Sequence, residues 1–253
     1  MEFCLASSHD ELGVLAARDI GAALRRLLRG KAHLRMILAA APSQGAMLAA
    51  LAKEPGIDWG RITAFHMDEY IDLPGDAPQR FGAWLERAFF NHVSLAEVNL
   101  IDPGADPEAA CRAYAEKLAS APIDVVLLGI GTNGHLAFND PPADLNDPLV
   151  VKVVTLDAMC REQQVLDGCF ARLEDVPKTA MTLTVPTLLR GGELFCCIPG
   201  GHKSEAVRSM FKSPVSGECP ATALRTHPQC TVYLDPDSNR LMEADERNDH
   251  HGA

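Results

Sequence analysis

The chain has 253 residues, of which 47% are hydrophobic and 23% are charged, so it can form one large domain with a sizeable core. Its formal net charge is -11 and no basic tract stands out, which argues against a nucleic-acid-binding protein. The N-terminus lacks a signal-peptide pattern and no apolar run could span a bilayer, so we expect a cytoplasmic protein with no membrane partner.

The cysteines show no CxxC pair and no regular spacing. We interpret them as reduced, mostly buried thiols rather than a disulfide framework or a zinc site. They stand at positions 4, 111, 160, 169, 196, 197, 219 and 230.

Hydrophobic spacing predicts helices and strands that alternate along the whole chain. The predicted helices cover residues 9–29, 46–53, 81–90, 107–118, 157–165, 204–211 and 220–227. The predicted strands cover residues 34–40, 61–66, 123–128, 150–155, 193–198 and 230–234. Residues 179–189 mix both signals and stay unassigned, and about 236–253 reads as a polar tail that frays. This alternation predicts a single α/β domain over residues 1–253, with a doubly wound, mostly parallel, Rossmann-like sheet and helices on both faces.

The most informative stretch follows the buried strand 123–128. Three glycines leave the strand, His135 comes next, and Asp140 stands five residues after it. Ligands of parallel sheets bind outside the carboxyl ends of strands, and histidine is well suited to move protons near neutral pH. A tight turn with a capping histidine would explain the same pattern without any function.

Three other predicted strand ends carry residues with useful chemistry. A small-residue turn over 42–45 could bind an anion, Asp68 and Glu69 offer a base, and Lys203 follows a second glycine turn. Because carboxyl ends of parallel strands share one edge, we expect these groups to face one crevice, as proton transfer on a phosphorylated small molecule requires. The proline- and aspartate-rich segment 141–147 beside it is predicted to be a lid.

Two strings resemble the superfamily of glucosamine-6-phosphate deaminases/isomerases and 6-phosphogluconolactonases. They are residues 65–70, FHMDEY, and residues 129–139, GIGTNGHLAFN. Both look like the deaminase branch, and the resemblance extends from about residue 34 to residue 235.

The resemblance implies a reaction that converts glucosamine 6-phosphate into fructose 6-phosphate and ammonia, with no metal and no cofactor. Asp68 would take the C2 proton, His135 would assist ring opening, and Lys203 would bind the phosphate. The other residues implied in substrate binding are Ser43, Gln44, which replaces a family glycine, Gly45, Glu69, Gly131 and Gly134. The partner is then a phosphorylated amino sugar, and assembly into a homo-oligomer is allowed.

The chain departs from the deaminases around the histidine. They carry an aspartate two residues before it and a glutamate five after it, where this chain has Asn133 and Asp140. We expect Asp140 to orient His135 still, and Asn133 to mark a subgroup with another sugar epimer or acyl state, such as galactosamine 6-phosphate. On this hypothesis, Asn133→Asp raises glucosamine-6-phosphate turnover.

A second departure concerns cationic residues. The family's phosphate-binding arginine has no match in residues 157–170, and Arg161 is the nearest substitute. Of the family's allosteric basic cluster only Lys152 remains, so we expect no activation by an N-acetyl sugar phosphate.

Three alternatives remain open at this stage. One is a 6-phosphogluconolactonase-like hydrolase or another sugar-phosphate isomerase, and the second is a non-catalytic sugar-phosphate sensor. The third is a metal site made of His66, Asp68, His135 and Asp140, whose side chains are suitable ligands.

Overall fold

The computed structural model describes residues 1–251, and the side chains of residues 1–244, and its centre is a parallel β-sheet. The described residues form ten strands, β1 to β10, which are Glu2–Leu5, Leu34–Leu38, Ile62–His66, Asp68–Tyr70, Glu97–Asn99, Val125–Leu128, Val151–Thr155, Thr179–Leu183, Glu193–Ile198 and Cys230–Leu234. Seven of them form the main sheet in the order β1-β10-β9-β6-β2-β3-β5, and every pairing in it is parallel.

The described residues also form eight α-helices, α1 to α8. They are His9–Gly30, Gly45–Leu51, Phe81–Ala88, Pro107–Ala119, Ala158–Leu166, Val185–Leu189, Ser204–Lys212 and Pro236–His251. Ser8 caps α1 as its position predicts, since its side chain accepts a hydrogen bond from the Glu11 N–H at 3.2 Å. No helix in the described part of the chain combines the length and the apolar character that crossing a membrane requires.

Two apolar cores lie on opposite faces of the main sheet. Side chains alternate along each strand, so Met36 of β2 joins one core and Ile37 joins the other. Helices α1 and α2 cover the first face, and α4 and α7 cover the second. The prediction of a doubly wound, mostly parallel α/β sheet is therefore confirmed.

The sequence missed the two edge strands, β1 and β5, because they are short and mostly exposed. Phe3 in β1 is 65% exposed, so neither edge strand shows the continuous apolar run that marks a strand buried on both faces. The central strands β2, β3 and β6 are buried along their whole length and were predicted correctly to within two residues at each end.

A second, smaller sheet was not predicted. It is antiparallel, in the order β4-β8-β7, and the unassigned residues 179–189 supply β8 and then helix α6. Strand β4 begins at Asp68, and only Met67 separates it from the end of β3 at His66. Asp68 pairs with Thr182, so the chain changes sheets at the position where the predicted base stands.

Two segments differ from the sequence-based expectation in their backbone. Residues 220–226 form a 3-10 helix, and the predicted fraying tail forms helix α8 instead. Ser238 in α8 is fully buried, and its N–H and hydroxyl donate to Asp235, which caps the start of this helix. Residues 252 and 253 of the predicted tail lie outside the described residues.

Candidate active site

A cavity opens at the carboxyl edge of the four central strands β9, β6, β2 and β3. The free space within it is about 510 Å³, a figure that includes open solvent at its mouth. Five predicted site residues from four parts of the chain line it: Ser43, Gln44, Asp68, His135 and Lys203. The expectation that these strand ends face one crevice agrees with this arrangement.

Asp68 is a buried carboxylate with little to stabilise its charge. It is 6% exposed, and no group in residues 1–244 donates a hydrogen bond to its side chain. Burial raises the pKa of Asp68 well above its usual value, and the negative charge of Glu69 adds to that shift. A desolvated carboxylate of this kind is a stronger base toward a carbon acid than a solvated one.

His135 is held by a hydrogen-bonded network on its far side. Its Nδ1 lies 3.0 Å from Asp140 Oδ1, so the shorter side chain of Asp140 reaches the ring. Burial alone would raise the pKa of Asp140, but hydrogen bonds from His135, Asn133 and the Asp157 backbone N–H hold it below its usual value. Because an ionised carboxylate only accepts, Nδ1 carries the proton and Nε2 is the nitrogen left for a substrate.

Two glycines allow the loop to bring His135 to this position. A Cβ on Gly131 would lie 2.2 to 2.5 Å from the Cε1, Nε2 and Cδ2 atoms of His135, so the ring occupies the space of a missing side chain. Gly134 has φ of +81°, a conformation that L side chains rarely adopt, and a Cβ there would meet Cys219 Sγ. Both glycines therefore shape the loop, and neither lines the cavity.

The residues predicted to bind an anion lie together between the ends of β2 and β9. Lys203 Nζ lies 3.4 Å from Ser43 Oγ, and the Lys203 side chain is almost completely buried. Burial lowers the pKa of Lys203, and the nearby Asp167 carboxylate opposes that shift. Gln44 donates to the Cys197 carbonyl at 3.1 Å, and its buried Oε1 has no partner among the described residues. Gly45 begins α2 and does not line the cavity.

Two charged residues that were predicted to bind substrate also lie away from the cavity. Glu69 is fully buried, and its carboxylate accepts the N–H groups of Tyr70, Phe81 and Gly82 at 2.9 to 3.0 Å, which anchors the start of α3. Arg161 donates to the Leu173 and Val176 carbonyls, so its guanidinium is directed away from the cavity wall.

Helix α5 and the residue that follows it contribute three polar residues that the sequence did not single out. Gln163, Gln164 and Asp167 line the cavity, and Gln163 also accepts the Thr132 N–H at 2.9 Å. On sequence grounds these residues are indistinguishable from the solvent face of an amphipathic helix. Only their packing against the histidine loop shows that they belong to the site.

The predicted lid does not cover the cavity. Residues 141–147 are absent from its lining, and the Ala143 N–H donates to the Gly217 carbonyl at 2.9 Å. Asp147 in the same segment pairs with Lys152 at 2.8 Å. These contacts hold the segment against the protein surface.

The metal alternative does not assemble from the four residues that the sequence suggested. His66 is completely buried, its Nε2 accepts the Ile101 N–H, and burial lowers its pKa to about 3. A different trio, His135, Asp140 and Cys160, has ligand atoms within 4.8 Å of one another. Burial raises the pKa of the Cys160 thiol, which favours its protonated form.

Comparisons with known proteins agree with the strings found in the sequence. The family model described as glucosamine-6-phosphate isomerases/6-phosphogluconolactonase matches residues 7–233. A glucosamine-6-phosphate deaminase of Halothermothrix orenii is 35% identical over 199 residues, covering 77% of this chain and 81% of that protein. The deaminase of Arthrobacter sp. strain FB24 is 33% identical over 244 residues, covering 93% of this chain and 90% of that protein.

Solved structures give the same result for the fold. A monomeric glucosamine-6-phosphate deaminase superposes with a TM-score of 0.87 at 28% identity, covering 95% of this chain and all of that one. The 6-phosphogluconolactonase of Thermotoga maritima superposes with a TM-score of 0.73 at 21% identity, covering 92% and 98%. At 21% identity, the similarity to the 6-phosphogluconolactonase shows a shared fold and nothing more.

Proposed function

This chain belongs to the family of glucosamine-6-phosphate isomerases and 6-phosphogluconolactonases, and from that premise we propose that it deaminates and isomerises an amino-sugar 6-phosphate. The proposed reaction takes glucosamine 6-phosphate and water to fructose 6-phosphate and ammonia. The observation that carries the proposal is that the desolvated carboxylate of Asp68, the oriented imidazole of His135 and the buried ammonium of Lys203 line the same cavity.

In this proposal His135 opens the sugar ring. With Nδ1–H bonded to Asp140, the bare Nε2 takes the proton of the C1 hydroxyl as the ring C–O bond breaks and returns it to the ring oxygen. The product is the open-chain aldehyde with the amine on C2. Asp140 stabilises the transient imidazolium, because it is a carboxylate in direct contact with the ring.

Asp68 then moves the proton between the two carbons. Its carboxylate takes the C2 proton while the ammonium group on C2 gives one of its own protons to the C1 oxygen, which yields a neutral enolamine. The protonated Asp68 then delivers its proton to C1. Carbon 2 is now an iminium group, to which water adds, and ammonia leaves as the ketose forms. Burial of Asp68 suits both halves of this step, since the raised pKa makes the carboxylate a stronger base and lets the acid form persist.

Lys203 and Ser43 are proposed to hold the phosphate. Their polar atoms are 3.4 Å apart, so one phosphate oxygen can contact both, and the ammonium lies in a buried setting where its interaction with an anion is strong. Gln44 adds an amide beside them, with one buried oxygen that a ligand donor can satisfy.

The test is an ammonia-release assay on the 6-phosphates of glucosamine, galactosamine and their N-acetyl forms. We expect ammonia and a ketose 6-phosphate from an unacetylated substrate, and the better epimer identifies the subgroup. Acid release from 6-phosphogluconolactone without ammonia from any amino sugar would instead support the lactonase alternative. Binding of the sugar phosphates without exchange of the C2 proton with solvent would support a sensor.

The assignment of Asp68 has a matched control. Asp68→Asn is expected to lower kcat by about 10³-fold, the usual contribution of a general base. Asp72→Asn makes the same change in an exposed residue four positions along the chain and should leave kcat unchanged. Equal rates for the two variants would contradict the role of Asp68.

A further inference from the structure

The Asn133 side chain lies between two carboxylates, one seven residues and the other 24 residues further along the chain. Its Nδ2 donates to Asp140 Oδ1 at 3.0 Å and to Asp157 Oδ2 at 3.3 Å. Its Oδ1 accepts the backbone N–H of His135 at 3.0 Å. All three contacts agree on one orientation of the amide, in which the NH₂ group faces the acids.

Asp157 also contacts Asp140 directly. The Asp157 backbone N–H donates to Asp140 Oδ2 at 3.2 Å, while Asp140 Oδ1 receives the bonds from Asn133 and His135. Asp157 therefore affects both oxygens of Asp140. It donates its own N–H to Oδ2, and it accepts a hydrogen bond from Asn133, which donates to Oδ1. The cavity beyond them is lined by Gln163 and its neighbours on α5, the helix that begins just after Asp157.

We propose that the Asp157 carboxylate is a positioning residue for His135, acting through Asn133 and Asp140, and this inference rests on the function proposed above. By accepting one N–H of Asn133, it directs the other N–H at Asp140 and adds negative charge to the network on the far side of the ring. Asp140 is then held in the one position from which it accepts the His135 Nδ1–H.

This arrangement reverses the sequence-based expectation for position 133. Asn133→Asp would remove the side-chain amide that donates to both Asp140 and Asp157, and it would put a third carboxylate within hydrogen-bonding distance of both. Three adjacent carboxylates repel one another, so one would bind a proton and the network would rearrange. We therefore expect Asn133→Asp to lower turnover, not to raise it.

Asp157 also has a structural role that the experiment must separate from positioning. Its Oδ1 caps α5 by accepting the Cys160 N–H at 2.5 Å. Asp157→Ser keeps a good N-cap and removes the carboxylate. Asp106→Ser is the matched control, because Asp106 caps α4 in the same way, is exposed, and stands outside the site.

The measurements are kcat, KM and melting temperature for the two single variants, for Asn133→Asp and for the double variant Asn133→Asp/Asp157→Ser. We expect Asp157→Ser to lower kcat by about tenfold with KM nearly unchanged, and Asp106→Ser to match the wild type. Asn133→Asp alone should lose about 10²-fold, whereas the double variant should recover to within about tenfold of the wild type, since it again has two carboxylates.

Several results would overturn the inference. These are a wild-type kcat for Asp157→Ser, equal losses in Asp157→Ser and Asp106→Ser, or a double variant whose loss is the product of the single losses. If Asp157→Ser does not fold, Asp157→Asn keeps the size and the cap, and the same tenfold loss is expected of it.

A readout that does not need activity separates this inference from the proposed function. Nitrogen NMR of the His135 ring distinguishes its two neutral tautomers. We expect the Nδ1–H form to dominate in the wild type and a mixture of tautomers in Asp157→Ser. A protein that releases no ammonia but shows this change would refute the proposed reaction and keep the inference, whereas an unchanged tautomer would refute the inference.

Discussion

Gly131→Ala is the most direct test of how the histidine loop is built. The new Cβ would lie 2.2 Å from His135 Cε1, whereas ordinary contacts begin at 3.4 Å, so one group must move by about 1.2 Å (3.4 minus 2.2). The backbone of Gly131 is bonded to the loop through its N–H to the His135 carbonyl and its own carbonyl to Gly134 N–H, so the ring is the part that shifts. A displacement of that size breaks the 3.0 Å bond between His135 and Asp140.

The expected effect of Gly131→Ala on activity is large. A misplacement of about 1 Å in a catalytic group costs roughly 10²-fold in rate, so kcat/KM for ammonia release should fall by about that factor. Overpacking should also cost about 1–3 kcal/mol of stability, measured by urea unfolding. Gly30→Ala is the control, because a Cβ at Gly30 meets nothing within 4 Å. Wild-type kcat/KM in a folded Gly131→Ala variant would refute the view that the ring fills the space of a missing side chain.

Three further predictions concern the phosphate, the buried base and regulation. Lys203→Met keeps most of the side-chain volume and removes the charge, so KM should rise by about 10²-fold while kcat changes little. Lys212 is exposed, so Lys212→Met should match the wild type. An unchanged KM in Lys203→Met would argue against phosphate binding by Lys203 and Ser43. Burial raises the pKa of Asp68 in the folded protein above its pKa in the unfolded chain. Ionisation of this group therefore destabilises the folded protein once the pH rises above the pKa of the unfolded chain. Calorimetry should therefore show that Asp68→Asn melts higher than the wild type at pH 8, with a smaller gain at pH 5, and the opposite order would contradict the burial argument. A rate titration with N-acetylglucosamine 6-phosphate should give no activation, since Lys152 is paired with Asp147, and a rise in rate would show that the expectation is wrong.

Much of the fold could be read from the sequence because its central strands are buried on both faces. Such strands appear as continuous apolar runs, and the residues just after them mark the edge where ligands bind. Asp68, His135 and Lys203 were found in this way, and all three line the cavity. The edge strands β1 and β5 were missed because they are short and mostly exposed and carry little periodic signal. In the small second sheet β7 was predicted, whereas β4 has only three residues and only one residue separates β8 from helix α6.

Side-chain direction on helices and loops could not be predicted in the same way. Arg161 and Gln164 are three residues apart on α5, yet Arg161 bonds to carbonyls outside the cavity and Gln164 lines it. Glu69 stands next to Asp68 and caps α3 instead of facing a substrate, because adjacent residues of a strand point to opposite sides. In both cases the packing partner decides, and it comes from a distant part of the chain.

The sequence by itself determined which chemical groups end the central strands, since a run of buried apolar residues followed by glycine and a polar side chain admits few other structures. Only the tertiary structure decided what surrounds the histidine. Asn133 and Asp157 are 24 residues apart, and their contact exists because helix α5 packs its N-terminus against the histidine loop. Charges brought together by packing leave no periodic pattern in a sequence, so the environment of His135 could be found only in three dimensions.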